Sequence, residues 1–105
     1  MSNGDAVDLV TVVAQHKDEQ KVLDAALKAG APGATYFYGR GTGVRQRLGF
    51  LGSLIEAEKV VIVMAVSSDK TDAVVEAVTQ AAGLNLPGNG FLCVQKLDHA
   101  VGMVD

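Results

Sequence analysis

Twice along this chain the apolar spacing switches from about 2 residues to about 3.6 and back, and that double alternation restricts the fold more than any other feature. Asp8–Gln15 carries Leu9, Val10, Val12 and Val13 in a β-branched run that predicts a strand. From Asp18 on, Val22, Leu23, Ala26, Leu27 and Ala29 recur at helical spacing. Asp18 is the expected N-cap, and Gly30-Ala31-Pro32-Gly33 the stop. Thr35–Tyr38 predicts a second strand with Tyr36 and Tyr38 on one face and Phe37 on the other. Lys59–Val66 is a near-continuous apolar run, as in a strand inside a sheet. Asp69 is the expected cap of a second helix whose stripe is Val74, Val75, Ala77, Val78 and Ala81 and whose end is Gly83. Asn85–Gly90 is a turn-rich connector, Phe91–Gln95 predicts the last strand, and Lys96–Asp105 is a short tail.

The two halves resemble each other: Val22-Leu23-Asp24-Ala25-Ala26 matches Val74-Val75-Glu76-Ala77-Val78 at an offset of 52. Two strand–helix–strand units in tandem predict an α+β, ferredoxin-like β-α-β-β-α-β fold, a four-stranded antiparallel sheet with both helices on one face. The 105 residues suit a single domain, 1–105. The other sheet face then lacks a helical cover. Val10, Val12, Val61 and Val63 are the expected lining of that bare face, and self-association is the expected way of covering it.

Gly39 to about Ala57 follows neither period and predicts a long loop between the second and third strands. Four of the 12 glycines fall between Gly39 and Gly49, and Arg40, Arg45 and Arg47 are the only arginines of the chain. Residues 39–55 hold no acid and carry +3, and six lysines against twelve acids leave the remainder of the chain at −6. Long loops inside small domains are uncommon and usually functional.

Composition narrows the classes further. One cysteine excludes an internal disulfide framework and a cysteine-rich zinc site, and fits a reducing compartment. No apolar run approaches the roughly 18–20 residues of a membrane span. Met1-Ser2-Asn3-Gly4-Asp5 has neither the basic nor the apolar part of a signal peptide, so a cytoplasmic location is expected. A net charge of −3 argues against nucleic acid as a partner. So does the lack of aromatics in Val60–Val66, where an RNA-recognition fold needs stacking residues. His16 is expected on the surface at the end of the first strand, His99 in the tail, and Cys93 as a small buried core residue.

In several places the chain resembles the PII-type nitrogen-regulatory signalling proteins, from about Leu9 to Val101. The residues are Ala31-Pro32-Gly33-Ala34-Thr35, Gly41-Thr42-Gly43, Ile55-Glu56-Ala57-Glu58-Lys59 before the valine-rich strand, and Pro87-Gly88-Asn89-Gly90. The resemblance implies a non-enzymatic homotrimer that binds adenine nucleotides between subunits and regulates a transporter or metabolic enzyme. Gly39–Ala57 would be its T-loop and Leu86–Gly90 its phosphate-side B-loop. Thr35, Gly41, Thr42, Gly43, Val44 and Arg45 would line the nucleotide cleft, with Gly88, Asn89 and Gly90 as the B-loop backbone. Val61, Ile62 and Val63 would form an apolar wall against the adenine. Arg40, Arg45, Arg47, Leu48 and Phe50 would be the partner contacts.

Departures from the family pattern modify the ligand. Asn89 and Phe91 stand where the family has an acid and a lysine, the C-terminal arginine pair is replaced by Val101-Gly102-Met103-Val104, and the loop has no tyrosine. Each cation on a phosphate is a charge-assisted bond. The expected effector is therefore AMP or ADP rather than ATP, with a small anion such as bicarbonate as a co-ligand, and no metal. On the same frame, a trimeric metal-binding protein of the divalent-cation-tolerance type and a small ferredoxin-fold enzyme are the alternative readings.

Overall fold

The computed structural model describes residues 6–41 and 57–103. The order is β1 (Val7–Gln15), a 3-10 turn (His16–Asp18), α1 (Glu19–Ala29), β2 (Thr35–Gly41), β3 (Ala57–Ser67), α2 (Ser68–Ala82) and β4 (Gly90–Leu97). The four strands form one antiparallel sheet in the order β2-β3-β1-β4, with the helices together on one face: the expected ferredoxin-like arrangement. Among the described residues no helix is long and apolar enough to cross a membrane.

The core lies between helices and sheet. Val10, Val12 and Ala14 of β1 and Val60, Ile62, Met64 and Val66 of β3 meet Val22, Leu23 and Ala26 of α1 and Val74, Val78 and Ala82 of α2. Val10 and Val12 are thus fully buried beneath the helices, not on the bare face where the sequence places them. The bare face carries the other phase: Leu9, Thr11 and Val13 of β1, with Val61, Val63 and Ala65 of β3 in register. Val61 and Val63 do lie there. Both phases of β1 are apolar, so periodicity could not choose between them; the inward phase is the one that carries Asp8.

Asp8 is buried on the helix side, where its Oδ2 accepts a 2.7 Å hydrogen bond from the Thr71 hydroxyl of α2. The same hydroxyl lies 3.3 Å from Ser67 O, but its single proton goes to the shorter, charge-assisted bond. Among the described residues Asp8 Oδ1 has no hydrogen-bond partner. Thr71→Val keeps the volume and leaves the carboxylate without this donor. Urea unfolding is expected to show a loss of about 1–3 kcal/mol, the cost of an unsatisfied buried polar group.

Of the two expected aspartate caps, Asp18 does take the N-cap position of α1, but its side chain makes no capping hydrogen bond; it is buried against Lys17 at 3.6 Å and Lys21 at 3.4 Å. Asp69 lies inside the first turn of α2, one residue past Ser68, where the hydroxyl of Ser67 donates to it at 2.6 Å and lowers its pKa. The acid still favours the positive helix end. The expected loop Gly39–Ala57 is shortened at both ends: Gly39–Gly41 and Ala57 are strand, with Arg40 opposite Glu58 and Gly41 opposite Ala57. Cys93 is exposed on the bare-face rung with Thr11, Val63 and Thr35, not buried.

Candidate functional site

The bare face and its two edges hold most of the described candidate residues, in two separate groups. The first is at the β2 edge. The α1–β2 connector delivers Pro32, Gly33 and Ala34 alongside Thr35, and β3 adds Val63 and Ala65 from the bare face. With Gly102 and Met103 of the tail they line an open groove of about 360 Å³. Its walls are small apolar side chains and backbone, with one hydroxyl from Thr35, which suits a flat apolar ring with a polar edge. Val61 is on the same face one rung further along. Ile62 points the other way and is fully buried under the helices, so it cannot form part of a wall seen by a ligand on the bare face.

The second group is the turn leading into β4. α2 ends at Gly83 in the left-handed region, φ 63°. Leu86 N–H donates to Gly83 O at 3.0 Å, and Asn89 N–H to Leu86 O at 3.4 Å. The Asn89 side-chain amide donates to Gly83 O at 3.1 Å, and Gln15 Nε2 to Gly88 O at 3.3 Å. Asn89 thus spends its amide on holding the turn to the helix end. Gly90 is held hardest: its backbone has φ 131° and presses on β1, where a Cβ would lie 1.9 Å from Val13 O. Phe91 follows, half-exposed on the bare face opposite Val13.

Between the two edges, at the same end of the sheet as this turn, Gly39, Lys59 and Gln15 share a rung. Lys59 is buried, and its aliphatic stem runs under Gly41, where a Cβ would stand 3.7 Å from Lys59 Cγ. Sequence reasoning assigned no site role to Lys59, Gln15, Ala65 or Met103. Burial of a lysine and register across strands are tertiary facts with no periodic signature. Thr42, Gly43, Val44, Arg45, Arg47, Leu48 and Phe50 lie outside the described residues. Arg40 is exposed near the end of β2, on the helix side of the sheet with Tyr36 and Tyr38. The Tyr38 phenol is pushed above its ordinary pKa, chiefly by a hydrogen bond to Glu19. Among the described residues no three His, Cys, Asp or Glu side chains converge as a metal-ligand set.

The two groups sit on opposite edges of one sheet. Three strand spacings separate β2 from β4, about 14 Å, and Thr35 and Gly90 differ by three further rungs, about 10 Å along the strands. Within a single chain no mononucleotide-sized ligand touches both.

The model of the family described as nitrogen regulatory protein P-II matches residues 7–101. No curated protein matches the chain. Among solved structures, the citrate-bound PII protein of Arabidopsis thaliana is similar at a TM-score of 0.66 and 23% identity, covering 86% of this chain and 76% of that one. B. subtilis GlnK in complex with ATP is similar at a TM-score of 0.69 and 21% identity, over 88% of this chain and 82% of that one. A Bacillus cereus protein related to NIF3 is similar at a TM-score of 0.73 and 21% identity, over 93% of this chain but only 27% of its own length. At these identities the likeness is one of fold.

Proposed function

As the chain belongs to the nitrogen regulatory P-II family, we propose that it is a non-enzymatic, cytoplasmic homotrimeric sensor of adenine nucleotides. The observation that carries this reading is the division of the candidate site. The groove at Thr35, Val63 and Ala65 is on one edge of the sheet and the glycine turn 86–90 on the other. One ligand joins them only when the β2 edge of one copy meets the β4 edge of the next, and a ring of copies makes every such cleft alike. The half-buried apolar row of the bare face, Leu9, Val13, Val61 and Val63, gains cover by the same step.

In that cleft the base occupies the small-walled groove and the phosphates approach the glycine turn. B. subtilis GlnK, of the same fold, forms a complex with ATP, which supports the adenine-nucleotide class. Lys59 is the one cation that the described strands place on the bare face. One cation suits a short phosphate chain better than a triphosphate, so AMP or ADP is the favoured effector, with bicarbonate as a co-ligand. Partner contact falls to segment 39–57 with its three arginines, whose forked guanidinium groups suit an acidic surface on a transporter or metabolic enzyme.

Light scattering on a sizing column, followed by calorimetry with AMP, ADP and ATP with and without bicarbonate, tests the reading. The expected result is a mass of three chains, with AMP or ADP bound at least as tightly as ATP. A monomer that binds no nucleotide overturns the proposal; ATP as much the tightest ligand overturns the effector preference alone.

A further inference from the structure

Beyond β4 the chain is exposed from Asp98 to Gly102, with Val101 at 92%, and then turns back. Met103 is partly buried, and with Gly102 it lines the groove at Thr35, Val63 and Ala65. β4 ends at Leu97 on one edge of the sheet, whereas the groove lies at the other. Residues 98–103 therefore cross two to three strand spacings, about 10–14 Å. Fully extended they reach only about 20 Å, so the crossing takes up most of their length. Gly102 supplies the bend that returns Met103 to the sheet. Its φ is 93° and nothing lies within 4 Å of its Cβ position, so conformation and not crowding asks for glycine there.

The groove that the tail reaches has no charged wall. A phosphate gains no cation from it, so it suits the uncharged end of a ligand. Its other side chains are small and give a flat ring a floor without a cover. Met103 is the longest side chain of the lining, unbranched, with a polarizable sulfur that makes favourable contacts with aromatic rings. Met64, by contrast, is 2% exposed and belongs to the core.

We infer that Met103 is the clamp of this groove: its thioether closes on the face of a flat heteroaromatic ring and holds it against Val63 and Ala65. The identity of that ring as adenine rests on the proposed function. Because the contact is made to the ring and not to the phosphates, it strengthens AMP, ADP and ATP alike and leaves the order among them unchanged. A tail that is exposed up to its last described residue opens locally at little cost, which lets a ring enter beneath it.

Methyl NMR of the full chain, carbon-13 labelled at its three methionines, tests this with AMP, ADP, ATP and benzimidazole as probes. Met103→Ala assigns the Met103 signal. In the ligand-free chain that methyl is expected to show nuclear Overhauser contacts to Val63 or Thr35. On addition of AMP it shifts upfield while the Met64 methyl stays in place. Calorimetry of M103A is expected to show all three nucleotides weakened by about three- to tenfold, with the urea midpoint unchanged, and Met103→Leu to recover most of the loss. Gly102→Ala, which leaves the thioether in place but strains the bend, weakens binding in the same direction. A Met103 methyl without contact to the groove overturns the inference. AMP bound as tightly by M103A as by the native chain overturns it too, and leaves the proposed function standing. A Met103 methyl that responds to benzimidazole but to no adenine nucleotide overturns the proposed function and leaves the clamp; one that responds to neither removes both.

Discussion

Gly90→Ala is expected to cost about 3 kcal/mol or more in urea unfolding and to open the β1–β4 ladder at its turn end. Two penalties act together. At φ 131° a side chain is strained whatever space surrounds it, and the added Cβ would come within 1.9 Å of Val13 O and 3.2 Å of Ala14 Cα. Both obstacles are backbone of the central strand and cannot swing aside. The chain must give up the pairing of Ala14 with Gly90, and the turn bearing Gly88 and Asn89 moves with it. Nucleotide binding should fall along with stability. Gly39→Ala is the control: nothing lies within 4 Å of its Cβ position, and a change within about 0.5 kcal/mol is expected. Amide exchange along β1 and β4 separates the two variants.

Ile62→Ala and Val63→Ala are adjacent substitutions with opposite consequences. Ile62 is fully buried between sheet and helices, and its truncation is expected to cost about 2–5 kcal/mol through lost burial and an unfilled cavity. Val63 lies on the bare face and lines the groove with Thr35 and Ala65. Truncating it should cost the isolated chain less than about 1 kcal/mol, but under the proposed function it weakens nucleotide binding and association. Chemical unfolding at low protein concentration, paired with calorimetry, distinguishes the two. Equal losses of chain stability would show that the helices do not define the inner face of the sheet.

Much of this was legible before any coordinates. The strand and helix periods are local properties of side-chain spacing, so element order and type, and with them the sheet topology, follow from a walk along the chain. The stop signals at Gly30 and Gly83 hold because both residues end helices with positive φ, at 124° and 63°. Other readings failed for identifiable reasons. Gly39-Arg40-Gly41 has the composition of a loop but is strand, since pairing with Ala57–Lys59 supplies what β propensity lacks. Cys93 has the surroundings of a core residue but faces outward, because its rung belongs to the bare face.

The candidate site divides along the same line. Residues that the family resemblance assigns to one nucleotide cleft, Thr35 and Val63 with Gly88–Gly90, lie on opposite edges of the sheet of a single chain. Ile62, flanked by two bare-face valines, turns away from them.

The amino-acid order alone settled how many strands and helices form, in what succession, and therefore which topology joins them, since each depends on neighbours a few residues apart. Which face of β1 goes inward, that a lysine is enclosed, and that the two half-sites stand on opposite edges of the sheet were decided only when the strands paired. Apolar residues on both phases of β1 leave the inward face open locally, and the long-range bond between Asp8 and Thr71, 63 residues apart, sits on the face that was chosen.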